Sequence, residues 1–141
     1  MGEDEVLAAD DWEDNALLSS YALQTRISAR GFDWPDAQGV AGKLLEEVRE
    51  LHEALADDDH GAAHHEIGDI LLAAVNLCRF LGFNPNEVLT QANARFENRF
   101  AHLERALDAK GLRVESCTLE ELDRVWIEIK SSADKELRKG P

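Results

Sequence analysis

Apolar and polar side chains recur along most of this chain with the period of a helix. Turns that contain glycine, proline or aspartate separate the periodic stretches, and the pattern predicts five helices. They are expected over about residues 15–30, 37–56, 62–81, 85–110 and 119–132. No stretch has a convincing strand pattern. The sequence therefore predicts an all-α fold without a significant sheet, in which four main helices pack as a bundle and a C-terminal helix closes one side.

The helix expected over residues 37–56 has a narrow apolar side. At about 100° per residue, its apolar positions fall within an arc of roughly 80°. These positions are Val40, Leu44, Val48, Leu51 and Leu55. Glu47 and Glu50, spaced three apart, lie on one edge of the arc, whereas Glu46 lies farther round towards solvent. An acidic pair is therefore expected beside the apolar side of this helix.

The helix expected over residues 62–81 is apolar on nearly every side from Ile67 to Leu81. Its polar exceptions are Asp69, Asn76 and Arg79. Within roughly 100° of one face, Glu66 and Asp69 form a second acidic pair, and Asn76 follows on the same side. Residues three apart on a helix lie within side-chain reach. Two such helices packed side by side would therefore direct four carboxylates at one spot.

Clustered carboxylates on apolar helices need a partner. Burying unpaired charges is costly, and like charges placed together add to the cost. Hard divalent cations take oxygen ligands, and Mg²⁺ commonly combines carboxylates with waters and substrate phosphates. The alternative is that Glu47 and Glu50 are solvated and that Asp69 pairs with an arginine. Two pairs on adjacent helices, one of them inside an apolar helix, favour the metal site.

The acidic pattern is similar to a known signature. Glu46-Glu47-x-x-Glu50, a gap of fifteen residues and Glu66-x-x-Asp69 resemble the signature of MazG-type nucleoside triphosphate pyrophosphohydrolases. Four further segments resemble the same family in the same order. They are Gly31–Pro35, Val75–Gly82, Ala92–Phe100 and Val125–Lys130. The resemblance covers about residues 16–130 and implies the MazG fold, which is four-helix-bundle-like with an additional C-terminal helix.

The resemblance implies a Mg²⁺-dependent hydrolase. Such an enzyme cleaves a ribo- or deoxyribonucleoside triphosphate between the α- and β-phosphates, and it releases the monophosphate and pyrophosphate. Glu47, Glu50, Glu66 and Asp69 are then expected to hold the metal, with Mn²⁺ as an alternative ion. Glu46 is either a further ligand or the group that orients the attacking water. These five acidic residues form the predicted catalytic set.

Substrate contacts are predicted on four of the helices. The residues are Lys43, His65, Asn76, Arg95, Arg99 and Trp126. The resemblance implies phosphate contacts for the lysine and the two arginines, and a nucleotide contact for the tryptophan. The histidine is expected near the phosphates, and the asparagine is expected to contact the base or the sugar. A guanidinium fork matches phosphate oxygens, although the two arginines could instead pair with surface glutamates.

The chain departs from the family at two places. Many relatives carry lysine or glutamate in the four residues before Glu66, where this chain has Ala62, Ala63, His64 and His65. The chain also lacks the Cys-Pro-Trp-Asp segment that is typical of the first domain of two-domain MazG proteins. Its GFDWP segment resembles their second, C-terminal catalytic domain instead. Substrate contacts from the turn before Glu66 are therefore left open.

Composition and charge limit the remaining possibilities. The 141 residues suit one domain, expected over residues 15–132 between an acidic flexible arm at 1–14 and a flexible tail at 133–141. The net charge of −14 argues against nucleic acid polymers and anionic membranes as partners. Cys78 and Cys117 form no disulfide framework, so we expect a reducing cytoplasm. The family implies a homodimer or higher homo-oligomer. The competing hypothesis is a non-catalytic helical dimerisation or regulatory module whose acidic cluster binds a cation.

Overall fold

The secondary structure is helical throughout the part of the chain that can be described. This computed structural model describes residues 15–138, with side chains as far as residue 132. Its elements are α1 (Ala16–Ser28), α2 (Ala37–Ala56), α3 (His60–Leu81), α4 (Pro85–Asp108), a short 3-10 helix (Val114–Ser116) and α5 (Leu119–Arg138). Residues 15–138 contain no strand. The predicted all-α fold is therefore confirmed.

Polar side chains fix where the helices begin. The Asp36 carboxylate accepts the N–H of Gly39 at 2.9 Å and opens α2 at its predicted first residue. Asp59 accepts the N–H of Ala62 at 3.0 Å, so α3 begins at His60, two residues before its predicted start. Asn84 caps α4 in the same way. These caps satisfy backbone donors that the first turn of a helix cannot pair internally.

The far ends of the first and last helices differ from the prediction. Helix α1 ends at Ser28 instead of Arg30, and α5 continues to Arg138 instead of ending at Ser132. The predicted acidic arm over residues 1–14 lies outside the described residues, as do residues 139–141. The division into arm, single domain and tail stays a prediction.

The described residues fall into two compact units that divide between Leu89 and Thr90. In the first unit, α2 and α3 form the most extensive helix pair, and α1 packs on α3. The side-chain amide of Gln24 on α1 donates to the backbone carbonyl of Leu72 at 3.1 Å. In the second unit, the rings of Phe96 and Trp126 lie with centroids 5.5 Å apart and join α4 to α5. The metal ligands predicted from the sequence all belong to the first unit.

The buried side of α2 differs from the predicted apolar arc. It runs through Val40, Glu47 and Ala54, which are spaced seven apart and therefore form one stripe. Val48 and Leu55, predicted to face the core, are exposed, Leu55 by 59%. Glu47 is accordingly at the centre of the buried side and not at its edge, with 4% of its surface exposed. The helix is rotated so that a carboxylate, and not its largest apolar side chains, faces its neighbour.

Helix α3 also exposes apolar side chains, within the stretch that is apolar on nearly every side. Its buried residues are Ala63, Ala73, Val75 and Asn76. In contrast, Ile67, Leu71 and Leu72 are exposed, and 55% of Leu71 is accessible. We call these three residues the apolar surface of α3. In the described part of the chain, no helix is long and apolar enough to cross a membrane.

Candidate metal centre

Helices α2 and α3 bring three glutamates together. Glu47 and Glu50 come from consecutive turns of α2, and Glu66 comes from α3. One carboxylate oxygen of each lies within 4.8 Å of the others. The spacing of three residues puts Glu47 and Glu50 on one side of α2. One cation could therefore contact all three carboxylates.

Two oxygens of this cluster lie buried without a hydrogen-bond donor. Glu47 uses one oxygen to bind Lys43, whose Nζ lies 3.0 Å away. Glu47 Oε2 and Glu66 Oε2 are the buried side-chain atoms without a hydrogen-bond partner among the described residues. A buried acceptor without a donor costs free energy, and a buried charge costs more. The pair therefore needs a proton or a cation between its carboxyl groups.

The two glutamates have opposite pKa shifts. Contact with the Glu47 carboxylate, followed by burial and the charge of Glu50, raises the pKa of Glu66 to about 7. Contact with the Glu66 carboxyl group, followed by Lys43, lowers the pKa of Glu47. Two carboxyl groups in contact share a proton because they resist being ionised together. Without a metal, that proton belongs chiefly to Glu66.

A second group of ligands shares Glu66 with the first. His65 Nε2 lies 3.2 Å from Asp69 Oδ2, one helical turn away on α3. Potential ligand atoms of His65, Glu66 and Asp69 lie within 4.8 Å of one another. The four predicted metal ligands thus fall into two overlapping groups, and Asp69 belongs to the group without Glu47 and Glu50.

The donor atoms of the cluster fit a hard divalent cation. Carboxylate oxygens are the ligands that Mg²⁺ and Mn²⁺ prefer, and the buried oxygens of Glu47 and Glu66 have no other partner among the described residues. Glu46 belongs to neither ligand group. Its side chain is 52% exposed and pairs with Lys43 at 3.5 Å. Lys43, predicted to contact phosphate, here bridges Glu46 and Glu47.

Asn76 lies on α3 beyond the acidic residues and makes a contact that the sequence did not indicate. It is 8% exposed, and its Oδ1 accepts a hydrogen bond from Arg79 Nε at 2.8 Å. Arg79 also binds Asp33, in the loop between α1 and α2. Arg79 stood out in the sequence as a polar residue in an apolar helix, but nothing there indicated its partner.

The remaining predicted substrate residues belong to the second unit. Arg95 is exposed, and Arg99 and Trp126 are half-buried. Trp126 packs against Phe96 with the two ring planes inclined by 58°. The contact with Phe96 therefore holds the indole ring of Trp126, on α5, against α4.

Fold and site together define a helical protein with a carboxylate cluster that could hold a metal ion. Residues 37–103 match the family model of the MazG nucleotide pyrophosphohydrolase domain. This match includes α2, α3 and most of α4, and so every residue of the acidic cluster. The chain belongs to the MazG nucleotide pyrophosphohydrolase family, which confirms the resemblance seen in the sequence.

Named relatives agree with this membership. The chain is 39% identical over 111 residues to the nucleoside triphosphate pyrophosphohydrolase/pyrophosphatase MazG of Thermotoga maritima, covering 79% of this chain and 42% of that protein. It is 38% identical over 117 residues to the nucleoside triphosphate pyrophosphohydrolase of Escherichia coli K12, covering 82% and 44%. An uncharacterized protein of Bacillus subtilis, YabN, is 39% identical over 67 residues, which cover 48% of this chain and 14% of YabN. The chain thus spans less than half the length of these relatives.

Proposed function

We propose that this chain is a Mg²⁺-dependent nucleoside triphosphate pyrophosphohydrolase. It would cleave a ribo- or deoxyribonucleoside triphosphate between the α- and β-phosphates and release the monophosphate and pyrophosphate. The observation that carries the proposal is the pair of buried carboxylate oxygens, on Glu47 and Glu66, that lack a hydrogen-bond donor within the described residues. Their position inside a MazG domain supports a catalytic use of the cation that they would bind.

The chain's own groups prepare this site for a cation. When bound, a divalent metal ion neutralises phosphate charge and helps to activate a water molecule. The lowered pKa keeps Glu47 ionised as a ligand. Lys43, at 3.0 Å, holds one Glu47 oxygen, and the other Glu47 oxygen lies buried without a hydrogen-bond partner among the described residues. Glu66, whose pKa is about 7, would give up its proton on becoming a ligand.

We propose Glu50 and Asp69 as the other metal ligands. The assignment of Glu50 is supported by its position among the three clustered carboxylates. The assignment of Asp69 is supported by its position beside Glu66. Glu46, exposed and paired with Lys43, is proposed as the group that orients water and not as a ligand. His65, bound to Asp69, is proposed to face the phosphates.

The acidic character of the protein supports a metal-bound substrate. A chain with a net charge of −14 repels a free triphosphate, and a bound cation offsets that repulsion. The same charge supports the proposal that no nucleic acid polymer is a partner. We further propose that the protein acts in the cytoplasm as a homodimer or higher homo-oligomer, which the exposed apolar surface of α3 supports.

Release of pyrophosphate tests the function directly. The eight common ribo- and deoxyribonucleoside triphosphates are incubated with the protein and Mg²⁺, and pyrophosphate is measured. We expect turnover that EDTA and Glu50→Gln abolish. Glu53→Gln, an exposed change one turn along α2, is the matched control and should keep full activity. Mg²⁺ binding without turnover of any nucleotide would contradict the proposal and favour the non-catalytic helical module.

The phosphate contacts of Arg95 and Arg99 are proposed from the family resemblance. Loss of a charge-assisted hydrogen bond to phosphate is worth about 1.5–3 kcal/mol, or roughly ten- to a hundredfold in kcat/KM. We expect Arg95→Ala to lower kcat/KM by that factor without changing the melting shift that Mg²⁺ produces. Arg105→Ala, also on α4, serves as the control. Unchanged kinetics in an Arg95→Ala, Arg99→Ala double variant would refute this assignment.

A further inference from the structure

Arg79 connects the loop between α1 and α2 to the middle of α3. Its Nη2 donates to Asp33 Oδ1 at 2.5 Å, and its Nε donates to Asn76 Oδ1 at 2.8 Å. The guanidinium carbon lies 4.5 Å from the centroid of the Phe80 ring. Only 14% of the Arg79 side chain is exposed. Three groups therefore hold this arginine in one position.

The contact with Arg79 determines which way the Asn76 amide faces. An arginine N–H can only donate, so the Asn76 atom opposite it is the carbonyl oxygen. The amide nitrogen, with its two N–H donors, then lies on the other side. A polar side chain that is buried in an apolar helix is costly unless it is paired, and the hydrogen bond from Arg79 pairs the Asn76 carbonyl oxygen.

Asp33, which binds Arg79, has a second hydrogen bond within the loop. The position of Asn76 therefore depends on the loop as well as on α3. Asp33 Oδ1 also accepts the backbone N–H of Trp34 at 2.8 Å, and the hydrogen bond from Arg79 lowers the pKa of Asp33. The Trp34 ring covers Gly39 on the first turn of α2, where a Cβ would lie 3.3 Å from the ring. The loop is thus attached to both α2 and α3.

Asn76 occupies the same side of α3 as two of the acidic residues. It follows Asp69 by seven residues, which is two turns or about 10 Å along the axis. A ligand whose phosphates lie near Glu66 and Asp69 can therefore extend along this side of α3 towards Asn76.

We propose that Arg79 and Asp33 are positioning residues that hold Asn76 as a hydrogen-bond donor to the base of the nucleotide. This inference rests on the proposed function and adds its base preference. Uracil and guanine present a carbonyl oxygen at their variable edge position, whereas cytosine and adenine present an amino group there. A fixed donor pairs with the carbonyl and opposes the amino group. The site therefore prefers carbonyl bases.

Binding of nucleoside monophosphates tests this preference without turnover. By titration calorimetry, we expect UMP to bind about tenfold more tightly than CMP, and IMP about tenfold more tightly than AMP. Arg79→Gln and Asp33→Asn release the amide, so both ratios should fall towards one. Asn76→Asp presents a second acceptor in place of the donor and should reverse the ratios. Arg49→Gln, on the exposed side of α2, is the matched control and should keep them.

The affinity ratios between bases distinguish a positioning role of Arg79 and Asp33 from a purely structural one. If Arg79 and Asp33 only stabilise the fold, their variants lower the melting temperature and weaken all four monophosphates equally, which would overturn the proposal. Wild-type ratios near one, unchanged ratios in the variants, or no binding of any monophosphate would overturn it as well. Failure of the proposed function is distinguishable, because it is the absence of pyrophosphate release from every triphosphate, whereas the monophosphate ratios are measured without turnover.

Discussion

Glu47 on α2 and Glu66 on α3 lie close together, and they differ in the sign of the charges beside them. Lys43 lies beside Glu47 and favours its ionised form. Glu66 instead meets the charges of Glu47 and Glu50, so its proton is retained up to about pH 7. A cation that binds here replaces the shared proton. Metal binding and protonation therefore compete at the level of single residues.

Neighbouring glutamates on α2 should differ sharply in their effect on Mg²⁺ binding. Glu47 is buried in the cluster, whereas Glu46 is exposed beside Lys43. We expect Glu47→Gln to weaken Mg²⁺ binding by about tenfold or more, and Glu46→Gln to change it little. The rise in melting temperature with increasing Mg²⁺ measures both, because a ligand of the folded state stabilises it by mass action. Equal effects of the two substitutions would mean that α2 does not present Glu47 to α3 and Glu46 to solvent.

The raised pKa of Glu66 predicts how the metal-free protein responds to pH. A carboxyl group whose pKa is higher in the folded than in the unfolded state contributes stability below its unfolded value. That contribution is lost as the pH rises through the folded value, here about 7. In EDTA, the melting temperature of wild type should therefore fall relative to that of Glu66→Gln as the pH is raised from about 5 to 8. The amide of the variant stays neutral over this range.

Mg²⁺ provides the control for this titration. Above pH 7 it should restore the stability of wild type, because it takes the place of the lost proton, and it should do little for Glu66→Gln. A melting-temperature difference between the two proteins that does not change with pH, or a wild type that gains melting temperature relative to Glu66→Gln as the pH rises, would contradict the assignment of the proton to Glu66.

At the scale of helices, local signals predicted where the helices lie along the chain. Which side of each helix is buried depends on the neighbouring helices, and the local signals did not predict it. Asp36 and Asn84 are recognisable caps, and α2 and α4 begin where those residues predict. The apolar arc of α2 could not show that Glu47 would be buried and Leu55 exposed. An arc identifies side chains that avoid water, and it does not identify the surface that covers them. The contact between Asp33 and Arg79 joins residues 46 apart, and no spacing rule reaches that far.

Two glycines of α2 allow the packing of the loop against this helix to be measured. A methyl group added at Gly42 would have nothing within 4 Å, so Gly42→Ala should gain the helix preference of alanine, about 0.5–1 kcal/mol. A methyl group at Gly39 would lie 3.3 Å from the Trp34 ring. Gly39→Ala should therefore gain less, and it should shift the indole N–H resonance of Trp34. Denaturant unfolding gives the free energies, and equal gains with an unmoved resonance would show that Trp34 does not pack on Gly39.

At the scale of the whole molecule, a strongly acidic protein exposes large apolar side chains. The net charge of −14 makes copies of the protein repel one another. Nevertheless, Ile67, Leu71 and Leu72 of the apolar surface of α3 are open to solvent in the single chain. Contiguous exposed apolar side chains mark interaction surfaces more often than scattered ones do. Self-association through α3 would bury them, and this is consistent with the homo-oligomer proposed above.

Self-association can be tested by one substitution on that surface. Leu71, 55% exposed on α3, should contribute to the interface, and a charge there opposes burial. We expect wild type to sediment as a dimer or a larger homo-oligomer, and Leu71→Arg to shift the equilibrium towards the monomer. Glu53→Arg, an exposed change on α2, controls for added positive charge and should leave the assembly intact. A monomeric wild type at micromolar concentration, or a Leu71→Arg variant that assembles as well as wild type, would show that the apolar surface of α3 does not join two copies. Because the variant keeps Glu47, Glu50 and Glu66, its Mg²⁺-dependent melting shift should persist, which separates loss of assembly from loss of the fold.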